Sequence, residues 1–144
     1  ANALGIFNKN KNFIVIDFGT ATTFDVINKD KYIGGVIAPG VELSLKSLSR
    51  RASLIPVIKF TKINKIIGKN TISSVKSGFY WGYLGLINNI IELIKKETNR
   101  KYKIILTGGL SHLFKTSLKY KASINKDLTL KGLIKILKIF NIYE

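Results

Sequence analysis

Within seven residues, Asp17-Phe18-Gly19-Thr20-Ala21-Thr22-Thr23 joins a carboxylate, a glycine and three threonines. A strand that delivers Asp17 into a tight turn at Gly19 surrounds a small concavity with backbone N–H groups and hydroxyls. Such a nest suits phosphate oxygens, because glycine admits close approach and hydroxyls donate hydrogen bonds without bulk. Gly19, Thr20 and Thr22 are therefore candidate phosphate ligands. Asp17 is a poor phosphate ligand itself, but it can hold a cation that screens the phosphate charge. The same residues also fit a plain hairpin, with threonines favouring strand geometry and Asp17 satisfying turn amides.

A second candidate is Leu106-Thr107-Gly108-Gly109, where an apolar run ends in paired glycines before a helical pattern. Without side chains, Gly108 and Gly109 would let a base or ribose lie against the backbone. An ordinary strand-to-helix turn has the same composition. His112 is the only histidine and the chain has no cysteine, which excludes thiolate metal sites and histidine clusters. His112 reads as a surface or packing residue, Asp25 as a core or turn hydrogen-bonding residue. The aromatic group Phe79, Tyr80, Trp81 and Tyr83 reads as helix packing or a dimer contact.

The elements that position these residues follow from period and punctuation. Phe13 to Phe18 is short, apolar and rich in β-branched residues, the pattern of a buried strand closed by Gly19. Residues 22–28 alternate, with Phe24, Val26 and Thr22 on one side and Thr23, Asp25 and Ile27 on the other. Turn residues at 28–31 and a third extended segment ending at Pro39-Gly40 predict an antiparallel meander. Residues 41–51 carry Val41, Leu45 and Leu48 at helical spacing. The stretch around Pro56 reads as a connection.

A long helix is predicted from a cap at Asn70 or Thr71 to about Glu97, with Ile72, Val75, Phe79, Tyr83, Leu86, Ile87, Ile90 and Ile94 inward. Gly78, Gly82 and Gly85 weaken it and predict close approach by another backbone. A buried strand ending at Gly108-Gly109 and a short helix follow. Residues 119–125 read as a loop. The last helix, Leu128 to Phe140, is expected to turn Leu130, Leu133, Ile134, Leu137 and Phe140 inward.

At 144 residues and 46% apolar content, with 2 Pro and 12 Gly, the chain is expected to fold as one α/β unit. It holds no run of about 18 uncharged apolar residues and no basic-then-apolar leader, so membrane spanning and secretion are not expected and a cytoplasmic setting is. The formal charge of +16 invites a nucleic-acid reading. Nearly all the cations are scattered Lys, with Arg only at 50, 51 and 100, and the composition fits AT-rich coding better than base readout. The alternative of a basic nucleic-acid-binding or regulatory module predicts Lys clustered on one face. With no Met and a start at Ala1-Asn2-Ala3-Leu4-Gly5, the chain is expected to be a piece of something longer.

The stretch IDFGTATTFDVI resembles the second phosphate motif of type III pantothenate kinases, members of the acetate and sugar kinase, heat-shock chaperone and actin superfamily. YIGGVIAPGVELSLKSLSRRASLIPV resembles the family's glycine-rich strand, Pro-Gly turn and helix. IIGKNTISSVKSGFYWGYLGLI is similar to its substrate-side loop and long helix, ILTGGLSHL to its adenosine motif, and DLTLKGLIKI to its C-terminal helix. The resemblance implies an α/β, RNase H-like (actin-like ATPase) fold over residues 1–144, as the C-terminal half of a homodimeric enzyme that phosphorylates pantothenate with ATP on the way to coenzyme A. It implies Asp17 as ligand of a monovalent cation, potassium or ammonium, Thr20 as ATP phosphate contact, Gly108 and Gly109 beside the adenosine, and Thr71 at pantothenate. Mg2+ is expected with the ATP.

The family's N-terminal Asp-Gly-Asn-Thr loop and its Gly-Ala-Asp-Arg motif, whose aspartate is the general base, have no counterpart in these 144 residues. No residue of the chain is therefore assigned as catalytic. Turnover by the isolated chain is expected to be absent or slight, since phosphoryl transfer needs clamped reactants and a proton acceptor.

Overall fold

The structure, a computed structural model, describes residues 1–140. One five-stranded sheet organises it: β1 Asn12–Phe18, β2 Ala21–Asn28, β3 Lys31–Pro39, β4 Lys103–Gly108 and β5 Ala122–Ile124, in the order β3-β2-β1-β4-β5. β1, β2 and β3 form the expected antiparallel meander, while β4 runs parallel to β1 and β5 parallel to β4. Tight turns suffice for the antiparallel pairs. The parallel return needs a long crossover, supplied by α2 Val41–Arg51, residues 52–70 and α3 Thr71–Thr98.

Alternation along the strands feeds two cores. Ile14, Ile16 and Phe18, with Phe24, Val26, Ile104 and Leu106, pack against Tyr80, Leu84, Ile87 and Ile91 of α3. On the opposite face Phe13, Val15, Ile27 and Ile105 meet Leu128, with Ala3 and Ile6 beside them. Those last residues belong to α1 Asn2–Ile6 and α5 Leu128–Ile139. Truncating any of these buried Leu or Ile side chains to Ala costs about 2–5 kcal/mol.

Several expectations are refined or corrected. Residues 122–124 form β5 rather than a loop, paired to β4. The cap of α3 is Asn70, whose Oδ1 accepts from Ser73 N–H at 2.9 Å while Asn70 N–H donates to Ser73 Oγ at 3.1 Å, so Thr71 is the first helical residue. The buried face of α3 is Ser77, Tyr80, Leu84, Ile87, Asn88, Ile91 and Ile94, whereas Ile72 is exposed and Val75, Phe79, Tyr83, Leu86 and Ile90 are only half-buried. Tyr80 sets this rotation: its ring stacks on Phe114 and its hydroxyl meets Ser117 Oγ at 2.5 Å, so a polar-tipped residue goes fully inside.

The inward stripe expected of α5 is not formed. Leu130, Leu133, Ile134 and Phe140 are exposed, Leu137 is half-buried, and the buried positions are Leu128 and Gly132. Backbone proximity is the reason: a β-carbon at Gly132 would collide with the Ala1 carbonyl, and one at Gly5 would lie 2.7 Å from the Leu128 carbonyl oxygen. Two glycines let α1 and α5 cross in direct contact. Along α3, by contrast, β-carbons added at Gly78, Gly82 and Gly85 would meet nothing within 4 Å. Among the described residues, no other backbone approaches them.

Candidate functional site

Because β1 and β4 are parallel and in register, Phe18 opposite Gly108, both end at the same edge of the sheet. Ligands of open α/β sheets bind at such carboxyl ends. A cleft of about 380 Å³ opens there. Gly19 and Thr20 from the β1–β2 turn line it together with Gly109 from the β4 end. The two glycine corners singled out in the sequence therefore share one wall.

The turn closes by Gly19 N–H donating to the Ala21 carbonyl at 3.1 Å. The N-terminal end of α2 presses on it, since a β-carbon at Gly40 would collide with the Thr20 carbonyl. The Tyr83 hydroxyl, 3.1 Å from the Pro39 carbonyl and 2.9 Å from Ser44 Oγ, pins that end to α3. No side chain caps α2, so its first amides retain unused donors. Glu42, in the first turn, and Lys46, one turn later, also line the cleft. It thus offers an exposed hydroxyl, a helix N-terminus and an ammonium for a polyanion, and one carboxylate that can accept from hydroxyls.

The floor distinguishes the paired glycines. Gly108 has φ +88°, and a β-carbon there would lie 2.5 Å from the Phe18 carbonyl oxygen. Ser111 Oγ donates to the Gly108 carbonyl at 2.8 Å and closes the turn into α4 Ser111–Phe114. Beneath it Phe18 stacks on Phe114 at 5.1 Å. A β-carbon at Gly109 would meet nothing within 4 Å. Gly108 shapes the floor, and Gly109 leaves it open.

Asp17 faces the other side of the sheet. Its Cα partners are Thr23 on β2 and Thr107 on β4, which make a polar strip across three strands. Asn2 Nδ2 donates to Asp17 Oδ2 at 2.9 Å, while Oδ1 lies 3.9 Å from the position a Gly19 β-carbon would take. Thr22 is fully buried beneath the turn, its hydroxyl without a hydrogen-bond partner, and it does not line the cleft. Thr71 is exposed at the start of α3, also outside the cleft lining. His112 is exposed. Burial raises the Asp25 carboxyl above the usual range, against a hydrogen bond from Tyr32 that lowers it, and the Asp17 charge adds to the rise.

Glu42, Leu43 and Lys46 are cleft residues that the sequence reading missed. Their signal is the i, i+3 and i, i+4 spacing directly after the Pro39-Gly40 turn, which marks one face of a helix start.

The family model for type III pantothenate kinase matches residues 1–93. A type III pantothenate kinase from Pelagibacter ubique (strain HTCC1062) is 62% identical over 135 residues, covering 94% of this chain and 54% of the relative. Another, from Paracoccus denitrificans (strain Pd 1222), is 46% identical over 134 residues, covering 92% and 52%. The chain spans about half the length of the curated relatives it matches. Among solved structures, the Alp12 filament structure aligns with TM-score 0.60 at 18% identity over 98% of this chain and 53% of that one. The ethanolamine utilization protein EutJ from Carboxydothermus hydrogenoformans aligns with TM-score 0.53 at 17% identity, covering 92% and 50%. These likenesses show an actin-like ATPase fold. With the matched family model and the shared sequence, the chain belongs to the type III pantothenate kinase family.

Proposed function

We propose that this chain is the C-terminal, nucleotide-holding half of an enzyme that transfers the γ-phosphate of ATP to pantothenate, the first step towards coenzyme A. The observation that carries this reading is the single cleft lined by Gly19, Thr20 and Gly109. Thr20 and the α2 amides would hold phosphate oxygens, with Lys46 adding positive charge. The adenosine would lie along Gly109, over a floor bent by Gly108. Thr22 supports the turn from below. Thr71, by resemblance, faces pantothenate in the assembled enzyme.

The donor set at Asp17 fits a monovalent cation. One carboxylate oxygen is engaged by Asn2, and the other faces the Gly19 turn. Among the described residues no group of three or more His, Cys, Asp or Glu is gathered for a metal. One carboxylate, with Thr23 and Thr107 paired beside it in the sheet, would suit a singly charged ion such as potassium or ammonium. Bound there, the ion would supply positive charge behind the phosphate turn. Mg2+ would arrive on the ATP phosphates themselves.

By resemblance the general base is the aspartate of the family's Gly-Ala-Asp-Arg motif, and we assign catalysis to the assembled enzyme. The exposed glycines of α3 offer a face on which two copies can pack, in keeping with a homodimer. Among the described residues no helix is long and apolar enough to cross a membrane. A cytoplasmic site of action completes the proposal.

Calorimetric titration of the full chain with ATP tests it. Saturable binding is expected, weakened about tenfold by Thr20→Val through loss of a hydrogen bond to charged oxygen. Absent binding at millimolar ATP, or an unchanged constant in the variant, would refute the assignment of this cleft.

A further inference from the structure

The Asp17 carboxylate is not held by its own strand. Asn2, on α1, is only 7% exposed and donates from Nδ2 to Asp17 Oδ2 at 2.9 Å. The other end of the same amide is also engaged: Thr129, on α5, donates from Oγ1 to Asn2 Oδ1 at 2.7 Å. A primary amide has one acceptor end and one donor end, and here each has a fixed partner. The ionised Asp17 carboxylate only accepts and so fixes which end of the amide faces it, while the Thr129 hydroxyl engages the opposite end and holds the amide in place.

We propose that Asn2 and Thr129 are positioning residues that fix the rotamer of Asp17, reserving Oδ1 for the Gly19 turn and tying the C-terminal helix to the cation-holding carboxylate. The proposal rests on the reading of Asp17 as a monovalent-cation ligand. Neither residue touches the ion. They orient its ligand, as hydrogen-bond partners behind metal ligands do, and loss of such partners typically lowers metal affinity about 10- to 100-fold. The tight α1–α5 crossing at Gly5 and Gly132 holds Thr129 in reach, because any β-carbon there would push the helices apart.

Melting of the full chain is followed as KCl replaces choline chloride at constant ionic strength, which reads cation binding without any turnover. The wild-type chain is expected to show a saturable potassium-dependent rise, and Asp17→Asn to abolish it. Asn2→Ala should raise the half-saturating potassium concentration about tenfold. Thr129→Val should raise it less, and Thr129→Ser, which keeps the hydroxyl, should restore the wild-type value. If Asn2→Ala unfolds the chain, the Thr129→Val and Thr129→Ser pair decides alone. Unchanged half-saturation in the Thr129→Val and Asn2→Ala variants, with the Asp17→Asn response lost, would overturn the relay and leave the cation assignment standing. No response in the wild type, or an undiminished one in Asp17→Asn, would overturn the cation assignment and the relay with it.

Discussion

Alanine at Gly108 and at Gly109 adds the same methyl group one residue apart, and the two substitutions should separate folding from binding. At Gly108 the backbone has φ +88°, which for an L residue costs about 1–2 kcal/mol. The new β-carbon would also lie 2.5 Å from the Phe18 carbonyl oxygen, a backbone atom of the central strand that cannot step aside. Relieving such overlap costs roughly 1–3 kcal/mol. Together these predict about 3 kcal/mol of destabilisation, or a melting temperature lower by roughly 10 °C for a chain of this size. Gly109 does not have positive φ and has open space where the methyl would go. There alanine restricts the unfolded chain and should stabilise by about 0.5 kcal/mol. The methyl would stand on the cleft floor, however, and a misplaced methyl in a binding site weakens affinity roughly 10- to 200-fold. Scanning fluorimetry and ATP calorimetry on both variants give the two readouts. If Gly109→Ala melts as low as Gly108→Ala, or binds ATP like the wild type, the division into a structural and a binding glycine is wrong.

Thr22→Val replaces an unpartnered buried hydroxyl with a methyl of similar size, and should raise stability by about 1 kcal/mol with ATP affinity unchanged. A clear loss of ATP affinity would show that the hydroxyl does serve the phosphate. Asp25 has its native carboxyl raised by burial, so its contribution is favourable below the ordinary carboxylate range and is lost as pH rises through the native value. Asp25→Asn keeps an acceptor for Tyr32 and removes that loss. Its melting temperature should therefore exceed the wild type's by a margin that grows from pH 4 to pH 7, and a margin constant with pH would refute the reasoning.

The meander, α2 and the two glycine corners taken singly were legible because each is local. Phe13 to Phe18 closes at Gly19, Pro39-Gly40 starts the next helix, and strand period places the faces. What escaped the reading depends on partners far away in the chain. Gly5 and Gly132 carry no apolar signal, yet their crossing decides that α5 buries Leu128 and leaves Leu130 and Leu133 in water. The rotation of α3 depends on Tyr80 finding Phe114 and Ser117, a match between residues more than thirty positions apart. Thr22 has the right residue type for phosphate, and only its position on the core face of β2 removes it from the cleft. β5 has three residues, too few for any period to show.

The crossing of α1 and α5 also bears on the order in which the molecule can assemble. Hairpins β1–β2 and β2–β3 close between near neighbours, and they can form early, as a ribosome releases the chain. The bond between Thr129 and Asn2 spans 127 positions. Until α5 emerges, the carbonyl end of the Asn2 amide lacks the hydroxyl that engages it in the folded chain. Under the proposed reading of Asp17, the orientation of that carboxylate would be completed late, after the strands have paired.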